Sequence, residues 1–179
     1  MTPDGSDVPV GEPAVRSSAE LDPVRMRTVL GHFATGVVAI TAIDPGTGKP
    51  VGLAANSFTS VSLDPPLVAF CVGAASTSWP RVRSAGRYAV SILSDAQEAV
   101  SRQLARPGAD KFDGIEWTPS PSGAPVVTGC LAWIEAEPQA EHLAGDHTIV
   151  VSRVRHLSSS DLAPLVFFRG RYSRLSVAL

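Results

Sequence analysis

Short apolar runs rich in valine and isoleucine follow one another along the chain, separated by turns of glycine, proline and aspartate. Residues 36–43 (GVVAITAI) predict a strand, and the turn 44–50 (DPGTGKP) leads into a returning strand over 51–59. The third run, 67–72 (LVAFCV), is apolar throughout, which predicts a strand buried on both faces. The pattern therefore begins with an antiparallel hairpin followed by a core strand.

Further strands are predicted over 87–93, 131–137, 148–157, 165–168 and 171–175. Helices are few and short. One is predicted to begin at Ser94, which has capping-box spacing to Gln97, one near Ser78 with Pro80 in its first turn, and one over 24–31. Many short strands with few helices favour a barrel or a sandwich. The sequence also contains no G-x-G-x-x-G fingerprint of a doubly wound nucleotide-binding fold.

The composition fits one domain over 23–179, preceded by a tail over 1–22 that we expect to be disordered because it is rich in proline, glycine, serine and aspartate. A formal net charge of -2 argues against a nucleic-acid partner. No apolar stretch reaches the ~20 residues of a membrane span, and no secretory signal begins the sequence, which predicts a cytoplasmic protein without a membrane partner. Cys71 and Cys130 lie in apolar runs, which predicts small buried residues rather than zinc ligands or nucleophiles.

The first candidate for chemistry is the polar segment 54–62 (AANSFTSVS). Its polar residues occupy consecutive positions instead of alternating with apolar ones, so they face both sides of a strand. Two interpretations stay open. The segment is either a solvent-exposed edge that turns at Asp64-Pro65-Pro66, or a ligand-facing strand that hydrogen-bonds a polar heterocycle.

Two further segments carry polar groups near turns. Hydroxyl residues 76–78 precede the predicted helix start, and Arg81 and Arg83 follow, which suits either a phosphate site or an ordinary helix cap with a solvated basic turn. Residues 145–147 (GDH) form a turn, from which His147 can reach a site as a neutral hydrogen-bonding group. Because no catalytic triad or carboxylate pair accompanies them, the sequence predicts a protein that leaves the chemistry to a cofactor.

Taken in order, these segments resemble the short-chain flavin reductase family, the reductase components of two-component flavin-dependent monooxygenases. The resemblance covers roughly Leu30 to Tyr172. Its motifs are LGHFATGVVAIT (30–41), GLAANSFTSVSLDPPLVAFCV (52–72), STSWPRVRSAGRYAVSIL (76–93), AQEAVSRQLA (96–105), DKFDGIEW (110–117), GAPVVTGCLAWIEAE (123–137), GDHTIVVSRV (145–154) and PLVFFRGRY (164–172).

The resemblance implies a mainly β, FMN-binding split β-barrel that forms a homodimer, with FMN or FAD near the subunit interface. It implies hydride transfer from NADH, with NADPH as the alternative donor, and delivery of reduced flavin to a monooxygenase component. His147 is the residue that it implies beside the nicotinamide. The implied cofactor-binding residues are Thr35, Gly36, Val37, Val38, Ala54, Ala55, Asn56, Ser57, Phe58, Thr59, Ser60, Val61, Ser62, Ser76, Thr77, Ser78, Trp79, Arg83, Asp146, His147, Phe168 and Tyr172.

Two positions depart from the family's pattern: Ser91 stands where asparagine is common, and Ser152 where glycine is frequent. Arg81, Arg83 and Arg153 are candidates for either a flavin phosphate or the 2′-phosphate of NADPH. Two other functions stay open beside the reductase. One is a split-barrel carrier that binds flavin without turnover, and the other is a one-component flavoenzyme with its own organic substrate.

Overall fold

A computed structural model describes residues 22–108 and 111–175. The predicted tail lies outside this part of the chain except for Asp22, so the domain boundary stays a prediction. In chain order the elements are α1 (Pro23–Leu30), β1 (Thr35–Gly36), β2 (Val38–Ile43), β3 (Pro50–Ala55), β4 (Thr59–Leu63), β5 (Pro66–Gly73), α2 (Trp79–Ser84), β6 (Tyr88–Ile92), α3 (Glu98–Ala105), β7 (Trp117–Pro119), β8 (Pro125–Val127), β9 (Ala132–Ala144), β10 (His147–Ser159), β11 (Leu165–Phe168) and β12 (Arg171–Arg174).

Seven antiparallel strands form the main sheet, in the order β3-β2-β6-β9-β10-β5-β4. Four strands separate β3 from β5, which would place them ~24 Å apart in a flat sheet. The two strands nevertheless contact each other directly, so the sheet closes on itself. A three-stranded sheet, β1-β11-β12, and a small β7-β8 pair complete the fold. The architecture is the mainly β barrel that the sequence predicted.

The core explains why the apolar runs lack strict alternation. Val38 and Ile40 of β2 point into the barrel, where they join Phe70, Tyr88 and Val150 from three other strands. The opposite face of β2 is also buried, because residues 37 and 39 belong to a second cluster that includes α3, β8 and β11. A strand covered on both faces reads as a continuous hydrophobic run.

The predicted returning strand 51–59 is wrong as a single element. β3 ends at Ala55 and β4 begins at Thr59, so the chain crosses from one end of the sheet to the other. The hydroxyl of Ser57 fixes this crossing: it accepts from the Cys71 N–H (2.9 Å) and donates to the Cys71 carbonyl (3.1 Å). The Ser57 side chain thus makes the two hydrogen bonds to Cys71 that the backbone of a neighbouring strand would otherwise make. Segment 54–57 therefore lies at the seam of the barrel.

Other boundaries also differ from the sequence prediction. The helix predicted at Ser94 begins at Glu98, because the Ser94 hydroxyl donates to the Gly129 carbonyl instead of capping a helix. The Gln97 side chain does accept from the Ser94 N–H, which is half of the expected capping box. β9 and β10 each run for 13 residues and extend beyond the predicted spans.

The predicted burial of β5 and of the two cysteines is observed only in part. In β5, residues 68–70 are buried on both faces, whereas Leu67 and Cys71 are partly exposed. Cys130 is buried as predicted, and both cysteines are free thiols. Within the described residues, no helix is long and apolar enough to cross a membrane, and no three His, Cys, Asp or Glu side chains are grouped to hold a metal ion.

Candidate functional site

A cleft of about 430 Å³ opens at the seam where β3 meets β5. Its volume lies in the range of small-molecule sites, roughly 300–1,000 Å³. Six parts of the chain form its walls: the end of β3 with the crossing, the end of β5, the loop before α2, the end of α3 with the two residues after it, Lys111, and the start of β10. The lining residues are Leu53, Ala54, Ala55, Asn56, Ser57, Cys71, Val72, Gly73, Ala75, Ser76, Thr77, Ser78, Leu104, Ala105, Arg106, Pro107, Lys111 and His147.

The crossing supplies the polar groups at one end of the cleft. Ser57 is held by its two hydrogen bonds to Cys71, and this fixes the backbone on either side. The neighbouring Asn56 is exposed and lines the cleft. Residues 54–57 therefore line the cleft, whereas residues 59–62 belong to the edge strand β4. Contact of residues 54–57 with a ligand stays a prediction.

A basic group, Lys111, also lines the cleft, beside the N-terminus of α2. The Lys111 ammonium donates to the Ser78 hydroxyl (2.9 Å) and to the Leu104 carbonyl (3.1 Å). Burial, and then repulsion from Arg81, lower the pKa of Lys111. Ser76 rather than Ser78 caps the helix, since its hydroxyl accepts from the Trp79 N–H (3.2 Å). The loop before α2 therefore contains both a helix cap, at Ser76, and a polar group that lines the cleft, at Ser78.

His147 stands on the third wall of the cleft. Its Nδ1 lies 2.7 Å from a carboxylate oxygen of Asp146. An ionised carboxylate only accepts, so Nδ1 donates and the ring orientation is set. This hydrogen bond, and then attraction to the imidazole, lower the pKa of Asp146. A methyl group built on Gly73 would lie 3.8 Å from His147 Nε2, so this nitrogen faces the end of β5.

Four of the predicted cofactor-binding residues are core residues. Val37, just before β2, and Val38, its first residue, are each 3% exposed, and they belong to different core clusters on opposite faces of the sheet. Phe58 packs against the barrel core. Trp79 is buried in edge-to-face contact with Phe70 and the β6 tyrosine. None of the four is among the residues that line the cleft, and direct contact with a cofactor stays a prediction.

The remaining predicted residues lie outside the cleft lining. Residues 59–62 belong to the edge strand β4. Arg83 forms an ion pair with Glu141 (2.6 Å). Tyr172 shares a hydrogen bond with the Ser101 hydroxyl (2.8 Å) on α3. Thr35 and Gly36 form β1, Asp146 is at the turn beside His147, and Phe168 ends β11.

Several lining residues of the cleft were not among the predicted site residues. The end of α3 (104–107), the end of β5 (Cys71 and Gly73) and Lys111 reach the cleft through long-range packing. Lys111 lies in the motif DKFDGIEW of the resemblance, which was the one available signal for it. A lone lysine after a helix has no local feature that separates it from a solvated surface residue.

The fold and the cleft together define a small antiparallel barrel protein with a polar, nucleotide-sized site at its seam. Residues 30–176 match the flavin reductase like domain. The chain belongs to this family.

Two relatives cover most of the chain. A flavin reductase from Pseudomonas putida is 46% identical over 159 residues, which span 88% of this chain and 92% of the relative. The reductase subunit HsaB of a flavin-dependent monooxygenase from Rhodococcus jostii is 44% identical over 164 residues, 91% of this chain and 83% of the relative.

A solved structure shares the fold. The Streptomyces globisporus NADH:FAD oxidoreductase SgcE6, in complex with NAD and FAD fragments, superposes with a TM-score of 0.81 at 37% identity, over 87% of this chain and 93% of that one. These comparisons confirm the predicted family, the mainly β fold and the flavin reductase class of activity.

Proposed function

We propose that this chain transfers a hydride from NADH to FMN or FAD and releases the reduced flavin to a partner monooxygenase. One observation carries the proposal. The three polar segments singled out in the sequence, around Asn56, Ser78 and His147, meet in a single cleft although they are far apart along the chain. The three similar proteins are a flavin reductase, a monooxygenase reductase subunit and an NADH:FAD oxidoreductase, and their functions support the same reaction.

The donor set of the cleft fits a flavin nucleotide. Asn56 and the backbone of 54–57 offer hydrogen-bonding groups for a polar ring system, and Thr77, Ser78 and Lys111 offer hydroxyls and a cation for a phosphate. When bound, the flavin supplies the acceptor for the hydride. Among the described residues, the ionisable nitrogen groups of the lining are Lys111, Arg106 and His147, and the lining contains no carboxylate, in agreement with a positioning role.

His147 is assigned to orient the nicotinamide. The Asp146 hydrogen bond to Nδ1 fixes the ring and leaves Nε2 for the donor nucleotide. A hydride moves together with its electron pair, so this step needs no side chain as proton acceptor. We therefore place His147 as a contact residue for the donor and not as a base.

We further propose that two copies form a homodimer. Val61 and Leu63 on β4 are 52% and 93% exposed, and the outer edge of this strand has no partner among the described residues. An apolar edge strand is a liability in a monomer. Within a dimer, residues 59–62 would be positioned to complete a flavin site.

The activity is tested by following NADH and NADPH oxidation with FMN, FAD and riboflavin supplied in turn. The proposal expects oxidation of NADH that depends on added flavin. A carrier would bind flavin without oxidising NADH. A one-component flavoenzyme would retain its flavin through gel filtration and require an organic substrate. Either result would overturn the proposed reaction.

The phosphate end of the cleft is tested with Lys111→Gln. Loss of a charged hydrogen-bond donor is expected to raise the KM for FMN about ten-fold. The KM for riboflavin, which has no phosphate, is expected to stay the same. Lys49→Gln, on the exposed β2–β3 turn, is the matched control. Equal changes for FMN and riboflavin would show that Lys111 acts on the fold rather than on the phosphate.

A further inference from the structure

Gly73 is the last residue of β5, and it lines the cleft. In the antiparallel ladder it is paired with His147, the first residue of β10. Directly opposed residues of such a ladder place their side chains on the same face of the sheet. A side chain at position 73 would therefore stand beside the His147 imidazole, and a glycine leaves that space open.

The backbone conformation does not require a glycine at position 73. Gly73 lies in a strand and is not among the described glycines with a positive φ. An alanine adopts this conformation without strain. Glycine also lowers stability there, because the unfolded chain has more conformational freedom at a glycine than at an alanine. The residue thus costs stability without a conformational reason.

Close packing does not require a glycine there either. A methyl group built on Gly73 would have one neighbour within 4 Å among the described residues, His147 Nε2 at 3.8 Å, which is ordinary van der Waals contact. Gly52 on β3 differs, since a methyl there would lie 2.8 Å from the Ile40 carbonyl oxygen. The β5–β10 ladder also runs to Gly73 without a bulge. Of the usual reasons for a glycine in a strand, the close approach of a ligand remains.

The open space lies beside the ring nitrogen that His147 can offer to a ligand. The side chain lines the cleft and is 49% exposed. Because Nδ1 donates to Asp146 (2.7 Å), Nε2 of a neutral imidazole carries the lone pair and accepts a hydrogen bond. A ligand group that donates to Nε2 must therefore enter the space beside Gly73.

We propose that Gly73 keeps this space open for the carboxamide of the nicotinamide ring, whose amino group donates to His147 Nε2. The inference rests on the proposed function, and it adds a residue that determines donor specificity and a direction for the hydrogen bond. The competing occupant is the flavin ring, which can donate through its N3–H. The two occupants predict different effects of a methyl group at this position.

The first variant is Gly73→Ala, which adds one methyl group beside Nε2. Since its backbone suits alanine, the thermal unfolding midpoint should equal or exceed that of the wild type. Gly46→Ala, on the exposed β2–β3 turn, is the matched control. Gly46 also has no positive φ, and its added methyl would lie 3.5 Å from Asp44 Oδ1, again in ordinary contact.

Binding is measured with NAD⁺, which cannot donate a hydride, by calorimetry on the full chain saturated with FMN. Gly73→Ala is expected to weaken NAD⁺ binding about ten-fold through loss of the hydrogen bond, and to leave the Kd for FMN unchanged. Gly46→Ala should change neither. Unchanged NAD⁺ affinity in Gly73→Ala would overturn the inference. Weaker FMN binding, alone or to the same extent as NAD⁺ binding, would also overturn it.

A double-mutant cycle with His147→Ala separates this role from a general change in the strand. If the methyl group acts by closing access to Nε2, it has nothing to close once the imidazole is removed. Adding Gly73→Ala to His147→Ala should then change NAD⁺ affinity by less than about two-fold. A further loss of about ten-fold in the double variant would contradict the inference, because the methyl group would act without the imidazole.

A donor analogue tests the direction of the hydrogen bond. In the 3-acetylpyridine analogue of NAD⁺, a methyl group replaces the amino group of the carboxamide. The wild type should bind this analogue about ten-fold more weakly than NAD⁺. Gly73→Ala and His147→Ala should each reduce the difference to less than about two-fold. The same preference for NAD⁺ in all three proteins would overturn the assigned hydrogen bond.

Separate assays of NADH oxidation distinguish failure of the inference from failure of the proposed function. A protein that oxidises no NADH, but whose NAD⁺ affinity follows the pattern above, would uphold the role of Gly73 and reject the reaction. Flavin-dependent NADH oxidation, together with a Gly73→Ala variant that binds NAD⁺ as the wild type does, would uphold the reaction and overturn the inference.

Discussion

Tyr88 and Ser152 form a hydrogen-bonded pair inside the barrel, where both residues are 0% exposed. Burial raises the pKa of Tyr88 above its usual range, although the bond to Ser152 partly opposes this effect. The serine hydroxyl thus supplies the partner that this buried phenol requires.

Ser152→Ala is expected to destabilise the protein by about 1–3 kcal/mol, because the Tyr88 hydroxyl is left buried without a partner. Urea unfolding measures the change. Ser158→Ala, at an exposed position of the same strand, serves as the control and should lie within about 0.5 kcal/mol of the wild type. Adding Tyr88→Phe to Ser152→Ala should recover part of the loss. Equal stability of Ser152→Ala and the wild type would contradict this account.

His147→Ala is expected to raise the KM for NADH about five- to ten-fold, because the variant loses one hydrogen-bonding contact to the donor. Flavin affinity should stay close to that of the wild type, since Asn56, Ser78 and Lys111 are unaltered. Steady-state kinetics and a flavin fluorescence titration measure the two quantities. Unchanged KM and kcat would remove His147 from the site.

The residue types in the sequence identified which segments line the cleft, but they did not identify every residue that lines it. Asn56 was found because consecutive polar residues interrupt a strand pattern, and Ser78 and His147 because polar groups lie at a helix start and at a turn. All three lie in motifs that match a known family. The roles of Val38 and Trp79 as core residues were not apparent, because a motif residue that supports a site looks the same in sequence as one that touches the ligand. Lys111 reaches Ser78 only through tertiary packing.

At the scale of elements, an ion pair connects the β2–β3 turn to α2. Asp44 accepts from the Gly46 N–H (3.0 Å), the Thr47 hydroxyl (3.0 Å) and Arg81 Nε (2.9 Å). The Gly46 hydrogen bond, and then Arg81, hold the pKa of this carboxyl below its ordinary value. Since α2 follows the loop that carries Ser78, the contact also anchors one wall of the cleft.

Asp44→Asn is expected to lower the thermal unfolding midpoint at neutral pH. A carboxyl whose pKa is lower in the folded state contributes stability that is fully present above its unfolded pKa of about 3.9 and is lost as pH falls through the folded value. The difference between wild type and variant should therefore shrink in acid. Melting curves measured across this range test the prediction.

The control for this prediction is Glu98→Gln, which removes one member of the exposed Glu98–Arg102 pair on α3. An exposed pair contributes little, so the midpoint should change only slightly at any pH. A difference between Asp44→Asn and the wild type that does not depend on pH would show that the carboxylate charge is not the source of the stabilisation.

The existence of most strands and helices was predictable from the sequence, whereas the residues at which they begin and end were not. Runs of valine and isoleucine located the core strands because burial on both faces leaves a strong apolar signal. The break between β3 and β4 depends on the bond between Ser57 and Cys71, which are 14 residues apart, so no local pattern reports it. The extra length of β9 and β10 likewise comes from their mutual pairing, which runs from His147 opposite Ala144 to Ser159 opposite Ala132.

At the scale of the whole molecule, closure of the sheet creates the site. Because β3 and β5 meet, the segment that crosses between β3 and β4 must pass over the seam, and there its backbone is available to a ligand. The same closure leaves β4 as an edge with one neighbour. The barrel thus produces a cleft and an unpaired apolar edge together.

If the outer edge of β4 is buried in a homodimer, the mass of the protein in solution should show it. The wild-type protein is expected to have twice the mass of one chain in light scattering coupled to gel filtration. Leu63→Lys replaces the most exposed large apolar residue of the edge with a charge, and burying an unpaired charge in an interface is costly, so this variant should be monomeric. Leu162→Lys, on the loop between β10 and β11, makes the same change at another exposed leucine and should stay dimeric. A monomeric wild type, or a Leu63→Lys variant that remains dimeric, would show that this edge is not the subunit contact.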